Sequence, residues 1–267
     1  LLLFTSKGKA FTIKVHELPQ ASRISKGKFV ANFVSLAQGE KITSYIPVQK
    51  FEEGKYLVMC TKLGQIKKCE LTDFENTRRS GIIAIGLDPK DELMYAALTD
   101  GKQEIVIATR KGKAIRFPGD EIRSMGRNAG GVRGITLEDK DYVVSMEVVD
   151  KKATLLTVTE KGFGKRSEVE EYRVTGRGGK GVTNVKVTDK NGEVVGMKCV
   201  TEKYDLMIMT QTGMVVRCSV KDVRETGRVA QGVRLINLKK DNDKVTSIAS
   251  VEPEDESSAV AAEKPLV

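Results

Sequence analysis

The chain has 267 residues, enough for one large or two ordinary domains, and 40% of them are hydrophobic, so a sizeable core is available. A formal net charge of +9 argues against acidic partners and for a polyanionic one. From Val251 to Val267 five acids face one lysine, a net of −4 that leaves +13 on the rest, so a basic body carries a short acidic tail at 251–267. The opening "LLLF" is too short for a signal peptide or a membrane span and runs straight into "TSKGK", which points to the cytoplasm. Cys60, Cys69, Cys199 and Cys218 form no CxxC pair and sit in strand-like runs, so they read as buried free thiols of a reducing compartment.

In chain order, the phrase Thr-x-x-Gly followed by a basic strand occurs five times: "TSKGKAFTIK", "TKLGQIKKCE", "TRKGKAIRFP", "TEKGFGKRSE" and "TQTGMVVRCS". Its glycines are Gly8, Gly64, Gly112, Gly162 and Gly213. A second phrase follows each: "RISKGKFVANF", "TRRSGIIAIGL", "RNAGGVRGITL", "RGGKGVTNVKV" and "RVAQGVRLINL", with Gly27, Gly81, Gly131, Gly181 and Gly232. The two glycines are 19 residues apart in four repeats and 17 apart in the second. Two landmarks held in register define repeats at about 1–54, 55–103, 104–152, 153–204 and 205–250.

Each repeat reads as β structure. The runs "YLVMCT", "EIVIAT", "TLLTVT" and "DLMIMT" end at the Thr-x-x-Gly turn and a returning strand follows, which is a hairpin. A third strand is expected after the second glycine, as in "VRGITL". A fourth closes the unit in "KITSYIPV", "ELMYAAL", "YVVSMEVV", "EVVGMKCV" and "KVTSIASV". Segments such as "GDEIRSMG" and "EVEEYRVTG", the one place with room for a helical turn, are expected to be irregular loops. Four strands in about fifty residues suit one blade of a propeller-like ring, an all-β fold in which neighbours stack to bury both faces.

Positive charge collects at the two landmarks. The returning strands carry Lys113, Arg116, Lys165 and Arg166, and the second loops carry Arg23, Lys26, Lys28, Arg78, Arg79, Arg127, Arg133, Arg177, Lys180, Arg228 and Arg234. An arginine stands four before the second glycine at Arg23, Arg127, Arg177 and Arg228. Basic loops repeated in register build a basic band, which suits the phosphates of duplex DNA; such contacts position the duplex without reading its sequence. Aromatic residues are 5% of the chain and tryptophan is absent, so stacking on single-stranded bases fits poorly.

The paired landmarks resemble the C-terminal domain of the A subunit of bacterial DNA gyrase. The resemblance covers roughly residues 1–250 and rests on "HELPQASR" with "KGKFVANF", "PVQKFEEGKYLVMCTKLGQIKK", "SMGRNAGGVRGITL", "EKGFGKR" and "GRVAQGVRLINL". It implies a β-pinwheel, a ring of about five to six four-stranded blades that exchange strands with their neighbours. It further implies duplex DNA wrapped on the outer rim and a DNA segment presented for strand passage in ATP-dependent negative supercoiling. The implied partners are the remainder of the gyrase A protein and the B protein of the same enzyme. It implies a domain that is monomeric by itself and associated with the nucleoid. The family's box, Gln-Arg-Arg-Gly-Gly-Lys-Gly, is matched at five of seven positions by "TGRGGKG", with Thr175 for the glutamine and Gly176 for the first arginine. That stretch lies in a later repeat than the family's box, and it is the local version of the shared loop. The C-terminal domain of the A-type protein of topoisomerase IV shares the blades and is the second resemblance. Propellers with Kelch-like repeats, which bind proteins, are a third class; they lead one to expect other signatures and no basic register.

No catalytic constellation emerges. A P-loop needs a glycine five before its Gly-Lys, where Val174 stands, and a Ser or Thr after the lysine, where Gly181 stands. His16, the single histidine, gives neither a triad nor a metal site, so no catalytic residue, metal or cofactor is expected. The tail has the composition of an unfolded segment; the competing reading is that it covers the basic rim.

Overall fold

The computed structural model describes residues 1–21, 25–78, 80–238 and 242–252. Arg23, Arg79 and the acidic tail from residue 253 lie outside them.

The five repeats unfold in chain order as short strands. The first holds β1 (Leu2–Thr5), β2 (Lys9–Thr12) and β3 (Ile42–Ile46); the second β4 (Tyr56–Thr61), β5 (Gln65–Glu70), β6 (Ile82–Ile83) and β7 (Leu93–Thr99). The third holds β8 (Glu104–Thr109), β9 (Lys113–Pro118), β10 (Val132–Arg133) and β11 (Val143–Val148). The fourth holds β12 (Thr154–Thr159), β13 (Phe163–Glu168), β14 (Val182–Thr183) and β15 (Val194–Val200), and the fifth β16 (Asp205–Thr210), β17 (Val215–Ser219), β18 (Val233–Arg234) and β19 (Val245–Val251).

The Thr-x-x-Gly signature has a direct physical cause. In the second repeat the Thr61 carbonyl accepts from Gly64 N–H at 3.1 Å, and its hydroxyl accepts from Gln65 N–H at 3.1 Å. The threonine thus closes the turn twice, once through its backbone and once through its side chain. Gly64 takes a φ of +87°, which glycine adopts without a Cβ penalty. The same pair of bonds recurs at Thr5, with Gly8 N–H and Lys9 N–H, and at Thr210, with Gly213 N–H and Met214 N–H. A β-bulge falls between Cys60 and Thr61, where β4 leaves its register with β7, and the equivalent threonine marks a bulge at Thr5, Thr159 and Thr210.

The sheets exchange strands. Their orders are β3-β1-β2-β6, β10-β5-β4-β7, β11-β8-β9-β14 and β15-β12-β13-β18, and the fifth is β17-β16-β19. In the first four sheets the hairpin and the closing strand of one repeat take an outer two-residue strand from the next repeat. Among the described residues the fifth sheet has three strands. From the second repeat on, the third strand is shorter than the alternation of "VRGITL" suggests: in the third repeat only Val132 and Arg133 pair, with Ile66 and Gln65, and in the first repeat a 3-10 turn, Val30–Asn32, follows Gly27 where the strand is expected. The expected irregular loops before the second glycine instead begin with a single 3-10 turn, Gly119–Glu121 in the third repeat and Val169–Glu171 in the fourth.

The chain divides into two compact units. The first comprises 1–109, 113–149 and 172–182 and has its cores in the first three sheets. There Leu57 and Met59 pack with Phe4 and Phe74, and Val58 and Ile66 pack with Ile105, Ile107 and Phe117. The second unit comprises 110–112, 150–171 and 183–267, and Leu156, Val158, Leu206 and Ile208 form its core. Neighbouring residues of β4, from Leu57 to Cys60, all bury fully, so this strand is covered on both faces. Cys60 and Cys69 are buried free thiols, as expected, whereas Cys199 and Cys218 are half-buried. Burial pushes the Cys69 thiol up to about 11, which keeps it protonated. No helix among the described residues is long and apolar enough to cross a membrane.

Candidate nucleic-acid interface

The structure divides the expected basic residues into an inner and an outer set. Arg116, Lys165 and Arg166 are inner, with exposures of 6%, 1% and 5%. Arg116 pairs with Glu104 at 2.6 Å and donates from Nη1 to the Tyr172 carbonyl at 3.2 Å. Arg166 donates from Nε to the Val223 carbonyl at 2.8 Å. Lys165 donates to the Ser167 hydroxyl at 2.6 Å, and that hydroxyl donates to the Thr226 carbonyl at 2.9 Å. Burial removes these three from the expected contact set, and their role is internal. Each holds the loop of the following repeat, the loop that carries the second glycine. Lys68, the counterpart of Arg116, does the same by donating to the Gly101 and Gly119 carbonyls.

The outer set lies on the second loops. Lys26, Lys28, Arg78, Arg133, Lys180 and Arg234 are exposed, and Arg127, Arg177, Arg228 and Lys113 are half-buried. Lys113 sits 3.8 Å from Glu138 Oε1. The Arg234 guanidinium lies over the Phe163 ring, 5.1 Å from its centroid. A further arginine recurs eight before the second glycine, at Arg123, Arg173 and Arg224, and all three are exposed. Sequence reasoning passed over this position although the register alone singles it out. Arg173 and Lys180 flank an open cleft of about 230 Å³ with Thr175, Gly176 and Gly179 in its wall. Two cations over a glycine backbone make a seat of phosphate size and charge.

The second loops are laced to the repeat before them by one recurring hydrogen bond. The arginine four before the glycine donates from Nη1 to the carbonyl two residues after the previous repeat's second glycine. In the first unit Arg127 reaches the Ile83 carbonyl at 3.2 Å and Arg177 reaches the Arg133 carbonyl at 3.1 Å. In the second unit Arg228 makes the same bond to the Thr183 carbonyl. Backbone bonds reinforce the lacing in the first unit: Gly86 N–H donates to the Ala129 carbonyl at 3.0 Å, and Gly178 N–H to the Gly134 carbonyl at 2.7 Å. From below, Lys67 donates to the carbonyls of Ala84, Arg127 and Ala129. The basic loops are therefore set by neighbouring repeats and are not free to swing. The glycines serve the same docking. A Cβ on Gly181, whose φ is +70°, would stand 2.3 Å from the Ala114 carbonyl.

The comparisons with known proteins follow this architecture. The family model described as "DNA gyrase C-terminal domain, beta-propeller" matches residues 1–49, 55–100, 103–150, 153–201 and 204–252, one match per repeat. The DNA gyrase A protein of Halalkalibacterium halodurans is 51% identical over 256 residues, covering 96% of this chain and 31% of that protein. The DNA gyrase A protein of Leptospira biflexa is 53% identical over 259 residues, covering 97% of this chain and 30% of that protein. The chain thus spans about a third of the length of these relatives. Among solved structures, the C-terminal domain of a DNA topoisomerase IV superposes with a TM-score of 0.87 at 28% identity, covering 98% of this chain and 81% of that one. A DNA gyrase A C-terminal domain gives 0.82 at 27%, covering 93% and 81%. The fold is shared by both types and the sequence relatives are gyrase A proteins, so the all-β pinwheel of strand-exchanging blades and the gyrase resemblance both hold. The repeat register, the exchanged strands and these matches together place the chain in the DNA gyrase C-terminal domain family of β-propellers.

Proposed function

We propose that this domain, a member of a family of DNA-binding domains, binds and bends or wraps duplex DNA through phosphate contacts. The carrying observation is that the exposed cations recur at fixed positions around the second glycine of successive repeats. The contact set is Lys26, Lys28, Arg78, Arg127, Arg133, Arg177, Lys180, Arg228 and Arg234, with Lys113 beside them and with Arg23 and Arg79 retained from the sequence. Arg123, Arg173 and Arg224 join it. Phosphate spacing suits a row of point charges, and bending costs several kcal/mol that only many such contacts offset. In the parent protein the bound segment is presented for strand passage in ATP-driven negative supercoiling, with the remainder of the gyrase A protein and the gyrase B protein as partners. The domain itself supplies binding and no chemistry.

Mobility shift on relaxed duplex over a salt series tests this. Log K should fall against log[salt] with a slope of about −5 to −9 for roughly five to ten phosphates. A slope near −1 would contradict a wrap. Lys180→Ala and Arg173→Ala should each reduce the slope by about 1, while Lys165→Ala should leave it alone.

A further inference from the structure

A basic interface that binds a polyanion would be expected to exclude acids, yet two glutamates stand inside it. Glu121 and Glu171 occupy the same position, ten before the second glycine, at the end of their 3-10 turns. Each accepts a hydrogen bond from the backbone N–H of the next repeat's arginine. Arg177 N–H donates to Glu121 Oε2 at 2.9 Å, and Arg228 N–H donates to Glu171 Oε2 at 2.5 Å. In the first unit the Arg177 side chain then folds back, with Nε to the Glu121 carbonyl at 3.3 Å and Nη1 to the Arg133 carbonyl at 3.1 Å. In the second unit the Arg228 guanidinium reaches the Thr183 carbonyl. Both glutamates are exposed, and neither carboxylate is in an ion pair of its own among the described residues. Each carboxylate accepts a peptide N–H, and Glu171 also acts on the buried Lys165 ammonium.

We infer that Glu121 and Glu171 are positioning residues for the DNA-binding loops, and that each raises affinity for a polyanion despite its negative charge. A carboxylate accepting a peptide N–H makes a charge-assisted bond, stronger than a neutral one. It fixes the start of a glycine-rich loop, 176–181 or 227–232, whose backbone would otherwise lose much conformational freedom on ordering. With the loop start fixed, the guanidinium divides its donors. In Arg177, Nη1 is held by the preceding repeat and Nε by the Glu121 carbonyl, which leaves the Nη2 donors of a half-buried side chain for a phosphate. The acid thereby trades a small repulsion, screened within about 8 Å at physiological salt, for a loop that meets phosphate already shaped. This inference rests on the DNA-binding reading above.

Charge and position give opposite signs, which makes the test direct. Glu121→Ala removes one negative charge next to the polyanion, so a purely electrostatic role requires tighter binding. The positioning role requires weaker binding, by roughly fivefold for one lost hydrogen bond to a charged acceptor at an exposed site. Glu121→Gln removes the charge and keeps an acceptor, so it should bind as tightly as the parent protein or tighter. Amide hydrogen exchange without DNA supplies a second readout: the Arg177 and Gly178 amides should lose protection in Glu121→Ala and keep it in Glu121→Gln. Glu171→Ala should do the same at Arg228. Affinity unchanged or raised in both alanine variants, with protection intact, would overturn the inference. If the unmodified domain fails to bind duplex at low salt, the DNA reading fails, and the exchange data still decide whether the glutamates set the loops.

Discussion

The third and fifth repeats are built from the same plan, and among the described residues only the landmarks of the third are met by residues of a following repeat. Gly112 and Gly213 take nearly the same left-handed backbone, with φ of +81° and +84°. A Cβ on Gly112 would stand 2.4 Å from the Val185 carbonyl, whereas one on Gly213 would meet nothing within 4 Å. Arg116 is buried against Glu104 and the Tyr172 carbonyl. Its counterpart Arg217 pairs with Asp205 at 2.7 Å and keeps 43% of its side chain exposed. Identical local chemistry thus has different weight according to whether a following repeat docks on it. The signature residues serve two separable purposes, shaping a turn and receiving a neighbour.

That contrast can be broken at several points. The largest effect should come from Arg116→Ala, which strands Glu104 and the Tyr172 carbonyl: a loss of about 3 kcal/mol or more in urea unfolding, against at most about 1 kcal/mol for Arg217→Ala. Equal losses would show that burial by the next repeat is not what gives the arginine its weight. Next, Gly112→Ala should cost about 3 kcal/mol, combining left-handed strain with overlap on the Val185 carbonyl. Gly213→Ala should carry only the strain, about 1 kcal/mol. The smallest effect concerns Lys165, whose counterpart in the fifth repeat is Val216. Burial pulls the Lys165 ammonium down to about 8 from its ordinary 10.5, with Glu171 opposing and Arg228 adding to the fall. The folded state then binds fewer protons than the unfolded chain between those values, so stability gains from this group as pH rises from about 8 towards 10.5. Urea midpoints compared between the parent chain and Lys165→Met should converge or cross over that window. A constant difference across it would mean that Lys165 titrates normally.

Much of this was legible in the residues. The strands "YLVMCT", "EIVIAT", "TLLTVT" and "DLMIMT" begin and end where the apolar runs do; the first three are central strands with both faces covered, whereas in the fourth alternate residues are only half-buried. The loops before the second glycine were legible as non-strand with room for a helical turn, but not as 3-10 in type, since a single turn leaves no periodicity. The misplaced residues share one cause. In "KAIRFP" the alternation of Ala114, Ile115, Arg116 and Phe117 suggests one wet face, and all four are buried. A period of two reports which way a side chain points, and it carries no information on whether another sheet lies there. Arg173 is less legible for a different reason: it stands four residues before the glycine-rich phrase that begins at Arg177, and only the register shared with Arg123 and Arg224 marks it.

The exchanged strands have a consequence for how the protein tolerates damage. β18 belongs by sequence to the fifth repeat and by pairing to the fourth sheet, where Val233 and Arg234 sit opposite Gly164 and Phe163. A nick or truncation at Thr201–Tyr204, the junction of the two repeats, therefore strips the outer strand from the intact sheet upstream as well as the fifth sheet itself. The injury is felt one repeat before the place where it is made. Lengthening or shortening such an array is safe only in whole steps measured from one second glycine to the next.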